Sequence, residues 1–272
     1  MGIQLDDIGI CIGTLGPDPF VIAQDLSPVL EAVAAAGTTS VSIHSFLGTM
    51  HGPDRVAAMV TDAGLRAGAL EAALAWSKGP GPDNLAEADS IVAMAEATGA
   101  RKLLTVVLEP EMDDGAAVEG LAELCRAVAP AGVQVCLEWL PWTAMATIAD
   151  AHRLVVASGE PNCGITFDTW HWVRQPGGPD VDTLALFDGG QVGYLQLCDA
   201  AATPGVDVFA EAMSSRLLPG DGIVDFAGIL ATLDAMGAEP YVVSEIFNDG
   251  ILAGGAPHAA RTYHDACGRL AH

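Results

Sequence analysis

Short runs of aliphatic and β-branched residues alternate with longer Ala- and Leu-rich stretches of helical period, and the alternation continues along the chain without a break in composition. The apolar runs predict strands over Ile8–Ile12, Ser40–Ile43, Arg66–Leu70, Lys102–Leu108, Val133–Glu138, Gly164–Asp168, Val192–Leu197 and Tyr241–Glu245, each followed by a helix-compatible segment. Repeated βα units of this number predict the α/β class and one closed (β/α)8 barrel, with residues 1–272 as a single domain. Ordinary boundary signals support the helices: Ser27-Pro28 opens one that Gly37 closes, and Asp83-Asn84 precedes Leu85–Thr98 with Gly99 after it. The competing fold, an open doubly wound sheet, lacks its signature, since no G-x-G-x-x-G follows the first strand and no G-x-x-x-x-G-K-[ST] occurs.

Composition narrows the function. With 51% hydrophobic and 17% charged residues the chain has material for a large core. Eleven Lys and Arg against 35 Asp and Glu give a net charge of −24, a field that repels phosphodiester backbones and anionic membranes alike, so neither nucleic acid nor membrane is an expected partner. The six cysteines show no C-x-x-C and no metal-ligand spacing, which fits reduced thiols packed as small apolar residues. The segment MGIQLDDIGI lacks a basic leader, and no apolar run reaches the roughly 18 residues of a membrane span, so a cytoplasmic protein is expected.

In a barrel of this kind the chemistry stands where strands end in the βα loops. Four predicted strands end in an oxygen donor: Glu138 in VCLEWLPW, Asp168 in GITFDTWHW, Gln196 in GYLQLCDA and Glu245 in VVSEIFN. A carboxylate at the end of an apolar strand is costly unless paired, protonated or bound to a cation, and four oxygen donors, three of them carboxylates, converging on one mouth point to a metal. Three carboxylates and an amide oxygen form a hard set, suited to Mn2+ or Mg2+, with Co2+ or Zn2+ as further options. Trp139, Trp142, Trp170 and Trp172 flank two of these strand ends and read as walls of a substrate pocket. His44 after the second strand, and Glu71 and Glu109 ending the third and fourth, are further candidates for substrate contact. His258, His264 and His272 read as surface groups, and the long stretch from Asp199 to Gly222 as an active-site loop.

The series Glu138, Asp168 with His171 three residues on, Gln196 followed by Cys198-Asp199, Arg216 with LLPGDGIVDF, and Glu245 resembles the xylose-isomerase-like TIM-barrel superfamily of sugar phosphate isomerases and epimerases. The resemblance covers roughly Val133 to Asn248; the first half matches mainly in its βα rhythm. It implies a divalent metal held by Glu138, Asp168, Gln196 and Glu245, with His171 beside it and Arg216 reaching a substrate oxygen or carboxylate. One departure stands out. The third ligand in this superfamily is usually His, in a segment like H-x-K-D, whereas here Gln196-Leu197-Cys198-Asp199 replaces both the His and the Lys. A glutamine there resembles the variant in some 3-dehydroshikimate dehydratases of the superfamily.

The chemistry this implies is abstraction of a proton next to a carbonyl, with the metal stabilising the enediolate. His171, with an ordinary pKa near ~6.5, is the favoured base, and Glu138 and Glu245, which the superfamily's epimerases use on opposite faces of the substrate, are the other candidates. Return of the proton gives an isomerase or epimerase acting on a keto-sugar or cyclitol; loss of a β-hydroxyl instead gives a dehydratase of the 3-dehydroshikimate or inosose type. Only Lys78 and Lys102 are lysines and no basic loop marks a phosphate site, so a free polyhydroxy carbonyl compound is the expected substrate. A metal- or sugar-binding barrel without turnover is the reading from another class. The superfamily also resembles apurinic endonucleases, but the D-x-H segment that class needs is replaced here by AEAMSSRLLPGDG and the net charge opposes DNA. Pairing of copies through exposed βα loops is expected by analogy alone.

Overall fold

A computed structural model describes residues 3, 5 and 7 through 271; His272 lies outside the described residues. Eight parallel strands close a barrel in sequence order: β1 Gly9–Cys11, β2 Ser40–His44, β3 Arg66–Ala73, β4 Lys102–Thr105, β5 Gln134–Leu137, β6 Cys163–Asp168, β7 Val192–Leu197 and β8 Tyr241–Ser244, with β1 bonded to β2 on one side and β8 on the other. All eight expected strands are present. Every residue of β6 and β7 is buried, because one face of each strand fills the barrel and the other packs under helices. Ala69, Leu104, Cys136, Tyr194 and Val243 fill the lumen, while Leu70, Leu103, Val135, Ile165 and Leu195 face the outer shell.

The helical shell follows the local signals. The helix Pro82–Thr98 ends at Gly99, whose φ of 79° is left-handed. The helix Ile148–Ser158 begins with a reciprocal capping box between Thr147 and Asp150. Between β6 and β7 the shell is reduced to two short α-helices, Thr169–Arg174 and Val181–Leu184, and a 3-10 turn at Gly189–Gln191. None of the helices among the described residues is long and apolar enough to cross a membrane.

Several strand boundaries differ from expectation by one residue and two by more, and those two matter for the mouth. β3 runs on to Ala73, so Glu71 stands within the strand instead of at its end. β4 stops at Thr105, short of the expected Leu108. Val106 and Val107 are buried without pairing, which produces the same apolar pattern as a strand. Glu109 is thereby carried past the barrel wall.

Candidate active site

Strand residues two apart share a face. The lumen positions Cys136, Thr166, Tyr194 and Val243 are therefore followed, one step nearer the carboxyl ends, by Glu138, Asp168, Gln196 and Glu245. All four are at most 6% exposed. Asp168 also caps the helix Thr169–Arg174, its Oδ1 accepting from the amides of Trp170 and His171 at 2.7 and 2.8 Å. Arg216, from the long loop after β7, places Nη1 at 2.7 Å from Asp168 Oδ2 and 3.1 Å from Glu245 Oε2. The amide of Gln196 donates to Glu245 Oε1 at 2.7 Å, and His171 Nε2 lies 3.3 Å from Glu138 Oε1 and 4.0 Å from Asp168 Oδ2.

The charges are out of balance. Three carboxylates face one guanidinium in a buried space, and burial, reinforced by the charge of Asp168, pushes Glu138 well above the ordinary carboxylate range. Burial likewise raises Glu245, with Arg216 opposing and Glu138 adding to the effect. At Asp168 burial is overcome by Arg216 and by the His171 amide, which hold the carboxyl below its usual range. The side-chain oxygen of Gln196 and Nδ1 of His171 are buried without any hydrogen-bond partner. An excess of buried negative charge beside an unpartnered carbonyl oxygen fits a bound cation. Ligand atoms of Glu138, Asp168 and His171 lie within 4.8 Å of one another, so an imidazole nitrogen is available alongside the oxygens. That mixed donor set admits Zn2+ as well as the harder ions.

The first half of the barrel completes the mouth. Glu71 accepts from the Tyr194 hydroxyl at 2.6 Å and from the Cys11 thiol at 3.2 Å. Burial, with the charge of Glu71 adding to it, raises both Tyr194 and Cys11 well above their ordinary values and keeps each a donor. Cys11, Glu71 and Glu245 have ligand atoms within 4.8 Å of one another. They border, with His44, a cleft of about 150 Å³ that opens at the mouth.

Three expected substrate-contact residues, Trp139, Trp170 and Glu109, are not among those that line this cleft. Trp139 and Trp170 are fully buried: Trp139 packs edge-on against Phe167, and Trp170 lies beneath the guanidinium groups of Arg174 and Arg216. Only Trp142 presents a partly open ring, tilted against His171 at 5.5 Å and edge-on to Phe209 at 5.3 Å. Glu109 sits outside the barrel mouth opposite Lys78, 3.6 Å away. Arg216 is 2% exposed and its charge is spent on Asp168 and Glu245. His171 is 1% exposed, and burial, with Arg216 adding and Asp168 opposing, pushes its pKa down to about 3. An imidazole so reluctant to take a proton is a poor general base near neutrality.

Sequence reasoning missed Cys11, Tyr194 and Cys198. Cys198 touches Arg216 Nη1 at 3.3 Å and Asp168 Oδ1 at 3.6 Å. For Tyr194 a signal existed, because it stands two residues before Gln196 on one strand and must share its inward face.

A sequence profile described as Xylose isomerase-like TIM barrel matches residues 30–269. The 3-dehydroshikimate dehydratase of Pseudomonas aeruginosa is 30% identical over 136 residues, 50% of this chain and 21% of that one. The inosose isomerase of Bacillus velezensis is 28% identical over 143 residues, 52% of this chain and 49% of that one. These matches thus span about half or less of the curated relatives' own length. Among solved structures, the IOLI protein with a binding zinc atom superposes with a TM-score of 0.80 at 20% identity, covering 97% of each chain, a likeness of fold.

Proposed function

This chain belongs to the xylose isomerase-like TIM barrel family, and we propose that within it the protein is a divalent-metal-dependent isomerase or epimerase of a small polyhydroxy ketone. The observation that carries the reading is the convergence of Glu138, Asp168, Gln196 and Glu245 on one buried, over-negative point with the oxygen of Gln196 unpartnered. Those four residues would hold the cation, with His171 in reach of it. When bound, a divalent cation supplies the electrophile that acidifies the carbon next to a carbonyl.

The protein's own groups divide the remaining work. Glu245 both faces the proposed cation and borders the cleft, which places its carboxylate to move a proton at the carbon next to a bound carbonyl. Glu138, across the same point, is the second candidate proton carrier, and His171 Nε2 at 3.3 Å orients it. Arg216 links Asp168 to Glu245 and keeps both carboxylates in place. A second reading, loss of a β-hydroxyl after the same proton abstraction, is favoured by the glutamine on β7 and by the dehydratase relative.

Two measurements test the reading. Elemental mass spectrometry of dialysed, reloaded protein is expected to find about one Mn2+, Mg2+, Co2+ or Zn2+ per chain and almost none in Asp168→Ala. Solvent deuterium is expected to enter inosose or a ketohexose and to fall by about a hundredfold or more in Glu245→Gln. Metal binding unaffected by Asp168→Ala, or exchange unaffected by Glu245→Gln, overturns the assignment.

A further inference from the structure

The cleft at the barrel mouth has a one-sided chemistry. Glu71, Glu245 and Asp249 border it, His44 adds an imidazole, and no lysine or arginine is among its lining residues within the described part of the chain. Arg216 lies below, already paired with two carboxylates. A divalent cation at the proposed site would balance Glu138, Asp168 and Glu245 together with Arg216, yet Glu71 and Asp249 would still leave the cleft negative.

Glu71 is held to face this space. Its Oε1 accepts from Tyr194 and its Oε2 from Cys11, so each oxygen is anchored by one donor from the lumen and keeps acceptor capacity for a second. His44 Nε2 is buried without a partner at the same cleft. A carboxylate in this setting accepts hydrogen bonds from hydroxyl groups and repels carboxylates and phosphates.

We infer that Glu71, fixed by Tyr194 and Cys11, is the specificity-determining residue of this mouth, selecting an uncharged polyhydroxylated ketone and rejecting substrates that bear a carboxylate or phosphate. The inference rests on the proposed function above and sharpens it: of the ring compounds named by the two relatives, inosose fits and 3-dehydroshikimate does not.

The test separates binding from turnover. Calorimetric titration of the purified protein with inosose and with 3-dehydroshikimate, two six-membered ring ketones that differ in charge, is expected to show preference for inosose by about tenfold or more. Glu71→Gln, which removes the charge and keeps the shape, is expected to narrow that ratio by admitting 3-dehydroshikimate. Glu71→Ala is expected to weaken inosose itself. Equal or tighter binding of 3-dehydroshikimate by the wild type, no binding of either compound, or an unchanged ratio in correctly folded Glu71→Gln overturns the inference. Selective binding of inosose without deuterium exchange in any ketone would leave the selectivity standing and remove the catalytic reading.

Discussion

His171 shows how burial, with a neighbouring guanidinium adding to it, can reassign a residue. Read from its position three residues after Asp168, it is the natural base; packed at 1% exposure, with its pKa pushed down to about 3, it is a neutral ring at any physiological pH. An unfolded histidine takes up a proton below about pH 6.5, whereas this one resists until about 3. The unfolded chain therefore binds more protons between those values. The stability due to the neutral ring is complete above pH 6.5 and is lost as pH falls toward 3, by up to about 1.4 kcal/mol per pH unit. Urea unfolding at pH 7 and pH 5 is expected to show a smaller loss in metal-free His171→Phe than in metal-free wild type, and the ring nitrogens of His171 are expected to stay neutral by NMR at pH 5. A ring that titrates near 6.5 would restore it as the base. The four strand-end donors were legible because a polar residue ending an apolar strand violates the local pattern. Cys11 was not, because a thiol inside an apolar strand looks like core until the residue across the barrel, Glu71, is known; Tyr194 could be placed on the inward face by its spacing from Gln196, but not paired with Glu71.

At the scale of elements, the long segment after β7 is tied down by one residue. Asp199, fully buried, accepts from the amides of Ala200, Gly220, Gly222 and Val224 at 2.8 to 3.0 Å. Backbone bridges from Asp199 to Leu217 and from Ser215 to Asn248 then hold Arg216 over the carboxylates. Gly222 is required at its place, since a Cβ there would lie 2.2 Å from the Ala200 carbonyl oxygen. Asp199→Asn cannot satisfy the same four donors. It is expected to cost about 2 kcal/mol and to open the 200–224 segment to proteolysis, whereas Asp207→Asn, at an exposed helix cap, is expected to cost no more than about 1 kcal/mol. Equal melting temperatures for Asp199→Asn and wild type would show that the loop is held by other contacts. The sequence marked this stretch as a loop over the site, but not its anchor, because Asp199 beside Cys198 gives no local sign that its partners lie 21 to 25 residues on. The overrun of β4 has the opposite cause: Val106 and Val107 are buried by packing against the shell and lumen without strand pairing, and hydrophobicity records burial alone.

At the scale of the whole molecule, the barrel was the most legible feature, because eight alternations of period-two and period-3.6 pattern leave few ways to bury every strand on both faces. The net charge of −24 is its counterpart at the surface. Such an excess repels itself across the molecule, and the repulsion works against the compact state. At 10 mM salt the screening length is about 30 Å, comparable with the barrel itself, and at 1 M it is about 3 Å. The exposed ion pairs that salt would weaken, Lys78 with Glu109 and Arg153 with Asp114 among them, contribute about 0 to 1 kcal/mol each at most. Relief of repulsion therefore outweighs loss of attraction. The melting temperature is expected to rise as NaCl increases from 10 mM toward about 0.5 M and then to level off, with KCl giving the same curve because the effect is screening. A melting temperature that falls over this range would mean that surface pairs outweigh the net charge, and different curves for the two salts would mean that bound ions, not screening, stabilise the fold.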